Sequence, residues 1–202
     1  MTERNFDYCA LQFLNHWLDK EEIYCDLLSS SNLEDQRQAL VKAGGYFRVA
    51  RNVPKKYDLN GKRYQAILDI LSTIDNISLD NVVEVVNEVK TSISKNYGNR
   101  QVLSLTTKFL WLKFKAPVRI YDTQARISLG TQENNYYAFH EAFSLYYKDK
   151  ESEIIEACNK LENVITYLVN PNMSPEDIEN IVSEQWFRER VLDMYLWNNG
   201  RK

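Results

Sequence analysis

The chain has 202 residues, 44% of them hydrophobic and 12% aromatic, with a formal net charge of −3 and only six glycines and four prolines. That balance suffices for a substantial core and excludes a low-complexity or disordered chain; no apolar run approaches the roughly 18 residues of a membrane span. So little backbone punctuation predicts long helices with short connections.

Phe6, Cys9, Phe13, Leu14 and Trp17 recur at three- and four-residue steps and predict an amphipathic first helix. Ser31 or Asn32 is placed to cap a second helix reaching about Arg51, with Leu40, Val41 and Phe47 inward. A loop on Pro54, Asn60 and Gly61 follows, then a helix over Tyr64–Thr73. Asp80 is the expected cap of the next helix, whose stripe is Val82, Val83, Val86, Val89 and Ile93. Its β-branched content resembles a strand, but three-and-four spacing over that length favours helix, ended by Gly98. Thr106–Lys115 reads as a helix stopped at Ala116-Pro117, and Val118–Tyr121 as extended chain. Asp122 stands at an N-cap position before a short helix, Thr123–Leu129, stopped by Gly130. Helices are expected over Asn134–Tyr147 and along Ile154, Ile155, Cys158, Leu161, Ile165 and Leu168, broken at Asn170-Pro171. Ser174-Pro175-Glu176-Asp177 opens another, and the last spans about Ser183–Trp197. The expected fold is all-α: one globular domain over residues 1–202, or two closely joined helical lobes.

Cys9, Cys25 and Cys158 are odd in number and widely spaced, which matches neither a disulfide framework nor a zinc pattern. Together with an N-terminus, MTERNFDY, that lacks the basic start and apolar core of a secretory signal, this points to buried thiols in a reducing cytoplasm. No metal and no cofactor is expected. The charge is unevenly spread. Residues 48–63 carry Arg48, Arg51, Lys55, Lys56, Lys62 and Arg63 against Asp58, a local +5. Residues 100–126 carry Arg100, Lys108, Lys113, Lys115, Arg119 and Arg126 against Asp122, again +5, leaving −13 for the remainder. Such a distribution draws a polyanion to one face and repels it from others. Two solvated basic helix faces would give the same count.

The segment KFLWLKFKAPVRIYDTQARISLG resembles the catalytic segment of the helix-hairpin-helix DNA glycosylases, of the oxoguanine-glycosylase type. In that family a lysine begins a helix, the chain turns through a proline-containing extended segment, and an aspartate opens the next helix. The family's pattern Val-Asp-Thr-His-Val-Arg-Arg is matched by Asp122, Thr123 and Arg126 in order and spacing. The resemblance covers roughly 25 residues, and a closing helix with Leu196-Trp197 is shared with similar bacterial proteins. It implies a two-lobed helical fold, a DNA partner, Lys108 as nucleophile and Asp122 as its acidic partner. Where the family usually has Gly-x-Gly-x-Lys, this chain reads Ser104-Leu105-Thr106-Thr107-Lys108, and Lys108 precedes Asp122 by fourteen residues, fewer than is usual.

These residue types suit the chemistry. Cleaving a base from its sugar passes through a transition state with positive charge on the sugar, which a nearby carboxylate stabilises. An uncharged amine attacks C1′ and forms a Schiff base. The target base is flipped out and stacked on aromatics, for which Trp111 and Tyr121 are the local candidates, with Tyr136, Tyr137 and Phe139 nearby in sequence. Ser104, Thr106 and Thr107 at a helix start, with Arg100, Lys113, Lys115, Arg119 and Arg126, are the expected nucleic-acid contacts. Against this stand plainer roles: Lys108 as a solvated helix lysine, Asp122 as a cap alone, His140 and His16 as ordinary structural histidines. A hydrolase in DNA repair or defence is the first functional expectation. A non-catalytic nucleic-acid-binding module and a helical protein-interaction subunit are the alternatives.

Overall fold

The computed structural model describes residues 5–58, 60 and 62–200; Gly61 of the expected loop and residues 1–4 lie outside the described residues. Among the described residues the fold is all-α, with no strand, and no helix is long and apolar enough to cross a membrane. The chain divides into two units. A terminal unit combines Met1–Lys20 with Asp122–Lys202, and an inserted unit comprises Glu21–Tyr121.

In the terminal unit, α1 (Phe6–His16) starts at Asn5, whose side chain accepts from the Tyr8 amide. It is followed by α7 (Thr123–Ser128), α8 (Tyr136–Asn159), α9 (Pro175–Val182) and α10 (Gln185–Asn199). Helix α10 is the centre: Phe187, Glu189, Arg190, Val191, Leu192, Asp193, Met194 and Leu196 are all buried, against α1, α7, α8 and α9. A helix buried on nearly every side carries no amphipathic stripe. Aromatic rings seat it: Phe13 lies 4.9 Å from Phe187, Trp17 4.5 Å from Trp186, and Phe6 stacks on Tyr195 at 4.4 Å. At its end Gly200 has an ordinary backbone angle, but a Cβ there would stand 2.2 Å from the Gln124 carbonyl oxygen. Close approach, not conformation, requires the glycine.

The inserted unit holds α2 (Glu22–Ser29), α3 (Leu33–Tyr46), α4 (Gln65–Ser72), α5 (Val82–Asn96) and α6 (Leu103–Phe114). Here α6 has the central place. Leu103 and every residue from Leu105 to Leu112 are buried, and α2, α3 and α5 pack on it.

Several boundaries differ from those expected. Helix α1 does not stop at Trp17: a π-helical turn, Trp17–Glu21, leads directly into α2. A π turn shifts the phase of the apolar stripe, so regular three-and-four spacing does not extend into Glu22–Ser29. Helix α3 ends at Tyr46, not Arg51, because Arg48 takes a left-handed φ of 57°; Val41 is 51% exposed, not inward. Asn81, not Asp80, is the cap residue of α5. The two helices expected over 134–168 are one 24-residue helix, α8, followed by a 3-10 stretch over Lys160–Tyr167 that kinks at Val164. The polar run between them stays helical with Lys150 paired to Glu153 at 2.9 Å, one turn on. The capping box of α9, by contrast, forms as its residues predict: Ser174 and Asp177 exchange hydrogen bonds across the first turn.

All three cysteines are free and buried. Burial pushes Cys25 up to about 12, opposed by the charge of Lys115, and Cys158 up to about 12, opposed by Arg188. Burial likewise raises Tyr97 and Tyr147 to about 12. In each case the folded value lies above the unfolded one, so the folded chain holds protons that the unfolded chain releases. Stability is therefore lost as pH climbs from about 9 towards 12. The melting temperature is expected to stay level to about pH 9 and then fall, and the native thiols to resist alkylation at neutral pH.

Candidate functional site

Between α6 and α7 the helix stop and the Asp122 cap fall where expected. Helix α6 is stopped where Lys115 takes φ 53° and Ala116-Pro117 follows, with a cis peptide between them. Residues 118–121 are irregular, with Val118, Ile120 and Tyr121 buried. Asp122 then takes extended angles and its Oδ1 accepts from the Gln124 amide at 3.0 Å, capping α7 as its position predicts. Lys108 belongs to the inserted unit, and Asp122 is the first residue of the chain's return to the terminal unit.

Lys108 is not at a helix start. Helix α6 begins at Leu103, which carries Lys108 into its second turn, where it is 5% exposed. Its Nζ donates to Ser104 Oγ, one turn back, at 3.0 Å and lies 5.8 Å from the Phe47 ring centroid. An amine is rarely buried to this degree, and hydrogen bonds and a ring face are what make it tolerable. The wall behind it continues: Phe47 meets Tyr46 edge-on at 4.9 Å, and the Tyr46 hydroxyl donates to the fully buried Glu21 carboxylate at 3.0 Å.

The earlier start of α6 also corrects the expected contacts. Thr106 and Thr107 are 0% exposed inside the helix and have no face for a phosphate. Thr107 instead joins two segments: its hydroxyl donates to the Leu103 carbonyl at 3.2 Å and accepts from the Tyr121 amide at 3.0 Å. Trp111 and Tyr121, expected to stack on a base, are core side chains at 2% and 4% exposure. Tyr136 and Phe139 are buried as well, and of these aromatics only Tyr137 is exposed. For Thr106, Thr107 and Trp111 the reason is the same: α6 is a central helix, which a short sequence window does not show; Tyr121 lies beyond α6, with its amide tied back to Thr107.

The cations divide by what they do. Lys113 caps α4, donating to the Leu71 and Ile74 carbonyls at 2.6 and 2.7 Å; burial lowers its pKa while Asp75 opposes the shift. Arg119 is buried, and Arg126 donates to the Thr131 carbonyl at 2.7 Å, closing the turn after α7. Lys115 is half-buried at the left-handed stop. Of the residues expected to meet nucleic acid, Lys113 and Arg100 are exposed; Lys113 is committed to the Leu71 and Ile74 carbonyls, and Arg100 stands on the turn between α5 and α6. Sequence reasoning missed Tyr46 and Glu21, and placed Phe47 inward without its contact to Lys108; long-range packing is what brings them together.

Compared with protein-family models, with curated proteins and with solved structures, the chain matches none of them.

Proposed function

We propose that this protein is a DNA base-excision glycosylase of the helix-hairpin-helix kind, with Lys108 as the attacking amine and the Asp122 carboxylate as stabiliser of charge on the sugar. The observation that carries the reading is the buried amine of Lys108, held on Ser104 and against the Phe47 ring inside the central helix of the inserted unit. A core position gains nothing from an ammonium that an aliphatic side chain would not supply at lower desolvation cost. The order of helix, proline-containing irregular segment and aspartate-capped helix supports it further. In the reaction, the lone pair of the Lys108 nitrogen bonds to C1′ as the N-glycosidic bond breaks; the base leaves with the bonding pair and takes up a proton. Loss of a proton from nitrogen and opening of the sugar ring give the Schiff base.

Borohydride reduces that imine to a stable amine. Incubating the protein with duplex DNA bearing an abasic site, in the presence of borohydride, is expected to give a covalent protein–DNA adduct, and Lys108→Gln to abolish it. A wild-type protein that yields no adduct overturns the assignment of Lys108. The burial of Trp111 and Tyr121 favours a second reading, a nucleic-acid-binding module without catalysis. Salt-dependent DNA binding with no adduct and no released base is its signature.

A further inference from the structure

The first basic segment of the sequence meets the start of the second in the inserted unit, where the loop after α3 is stitched to the turn between α5 and α6. Arg100 Nη1 donates to the Arg51 carbonyl at 3.1 Å, and Asn52 Nδ2 donates to the Gln101 carbonyl at 2.7 Å. The Tyr97 hydroxyl donates to the Arg63 carbonyl at 2.8 Å, and the Tyr57 and Tyr97 rings meet edge-on at 5.3 Å. Gly98, at φ 79°, fits under the Tyr57 hydroxyl, which a Cβ would approach to 2.9 Å. Segments about fifty residues apart in sequence are thereby joined, and the Arg100 guanidinium lies against the Arg51 backbone.

Not every basic residue there is open to a ligand. Arg63 is occupied by the fold, donating to the Val53 and Ala50 carbonyls. Arg51, Lys55, Lys56, Lys62, Lys95 and Arg100 are exposed, and the acid that the loop carries is Asp58. Beside the turn lies a shallow recess of about 190 Å³ lined by Lys90, Lys95, Arg100, Asn99 and Gln101, cations and amides with no carboxylate among the lining residues. A chain of net charge −3 that gathers this much positive charge in one place presents an oriented site to a polyanion.

We propose that Arg51, Lys55 and Lys56 of the loop and Lys95 and Arg100 of the turn form one cationic surface that grips the phosphate backbone of duplex DNA. Backbone contact, not base reading, fits the side chains present: lysines, arginines and amides suit phosphate oxygens. A single strand calls for exposed aromatic platforms, and here Tyr97 is 2% exposed while Tyr57 is committed to it, with Lys56 Nζ 5.1 Å above the Tyr57 ring. The proposal rests on the nucleic-acid reading above but not on the role of Lys108.

The test is fluorescence anisotropy of a labelled DNA duplex against salt concentration, with wild type, Lys55→Gln/Lys56→Gln, Arg100→Gln, and Lys148→Gln on the exposed side of α8 as control. Removing one cation from a phosphate makes the slope of log affinity against log salt shallower by about one. The double variant is expected to lower the slope by about two and Arg100→Gln by about one, equally for unrelated duplex sequences, with the control unchanged. Arg100 also braces the turn, so if Arg100→Gln unfolds, the lysine pair decides. An unchanged slope in the lysine pair, or an equal change in the control, overturns the surface. No binding by wild type at low salt overturns it together with the nucleic-acid reading. Wild-type binding that Lys55→Gln/Lys56→Gln weakens, with neither a borohydride adduct nor a released base, leaves the surface standing and removes only the glycosylase.

Discussion

Replacing Arg190 by alanine is expected to cost the terminal unit about 3–5 kcal/mol, the range seen when one partner of a buried ion pair is removed. Arg190 and Asp193 are each 5% exposed, one turn apart on the central helix α10, and are ion-paired. The guanidinium also lies 4.8 Å over the Phe13 ring of α1, so it joins helix to helix as well as charge to charge. Alanine removes that packing and leaves the Asp193 carboxylate buried without the Arg190 charge, and the second effect is the larger. Urea unfolding measures it. The double variant Arg190→Met/Asp193→Leu removes both charges and is expected to be less destabilised than the single one. A single-variant effect below about 1 kcal/mol would show that the pair is not buried in solution.

The second large effect is on turnover, and two substitutions of one residue separate its causes. Asp122 caps α7 through the Gln124 amide, a task asparagine performs equally well, whereas alanine cannot. Asp122→Asn is therefore expected to keep stability within a few tenths of a kcal/mol, and Asp122→Ala to be destabilised by about 1 kcal/mol. If the carboxylate stabilises a sugar cation, both substitutions lower base release by about 10²–10³-fold, the scale of a missing preorganised charge. Base release measured beside thermal unfolding decides between the roles. Normal turnover in Asp122→Asn with a destabilised Asp122→Ala leaves Asp122 as a cap and nothing more.

Much of the fold is legible without coordinates wherever the cause is local. Asn32, Asp122 and Ser174 cap the helices that follow them, because a short polar side chain before a helix satisfies amides that are close in sequence. The valine-rich stripe of α5 forms a helix despite its β-branched side chains, because its spacing buries Val82, Val86, Val89 and Ile93 together. Phase is harder. The π turn after α1 conceals α2, and the polar middle of α8 conceals that two apolar stretches share one helix.

At the candidate site, the chemical types, the order of helix, proline-containing segment and cap, and the two concentrations of positive charge are all readable along the chain. Which of those groups can meet a ligand depends on packing. Helix α6 becomes a buried centre, which removes Thr106, Thr107 and Trp111 from any surface and encloses the Lys108 amine with Ser104 and Phe47. Packing also assigns Lys113 and Arg63 to backbone carbonyls while leaving Lys55, Lys56 and Arg100 exposed. The physical reason is that burial and charge proximity are pairwise properties of distant segments. A cap is fixed within four residues, whereas the surroundings of Lys108 are set by Phe47, about sixty positions away.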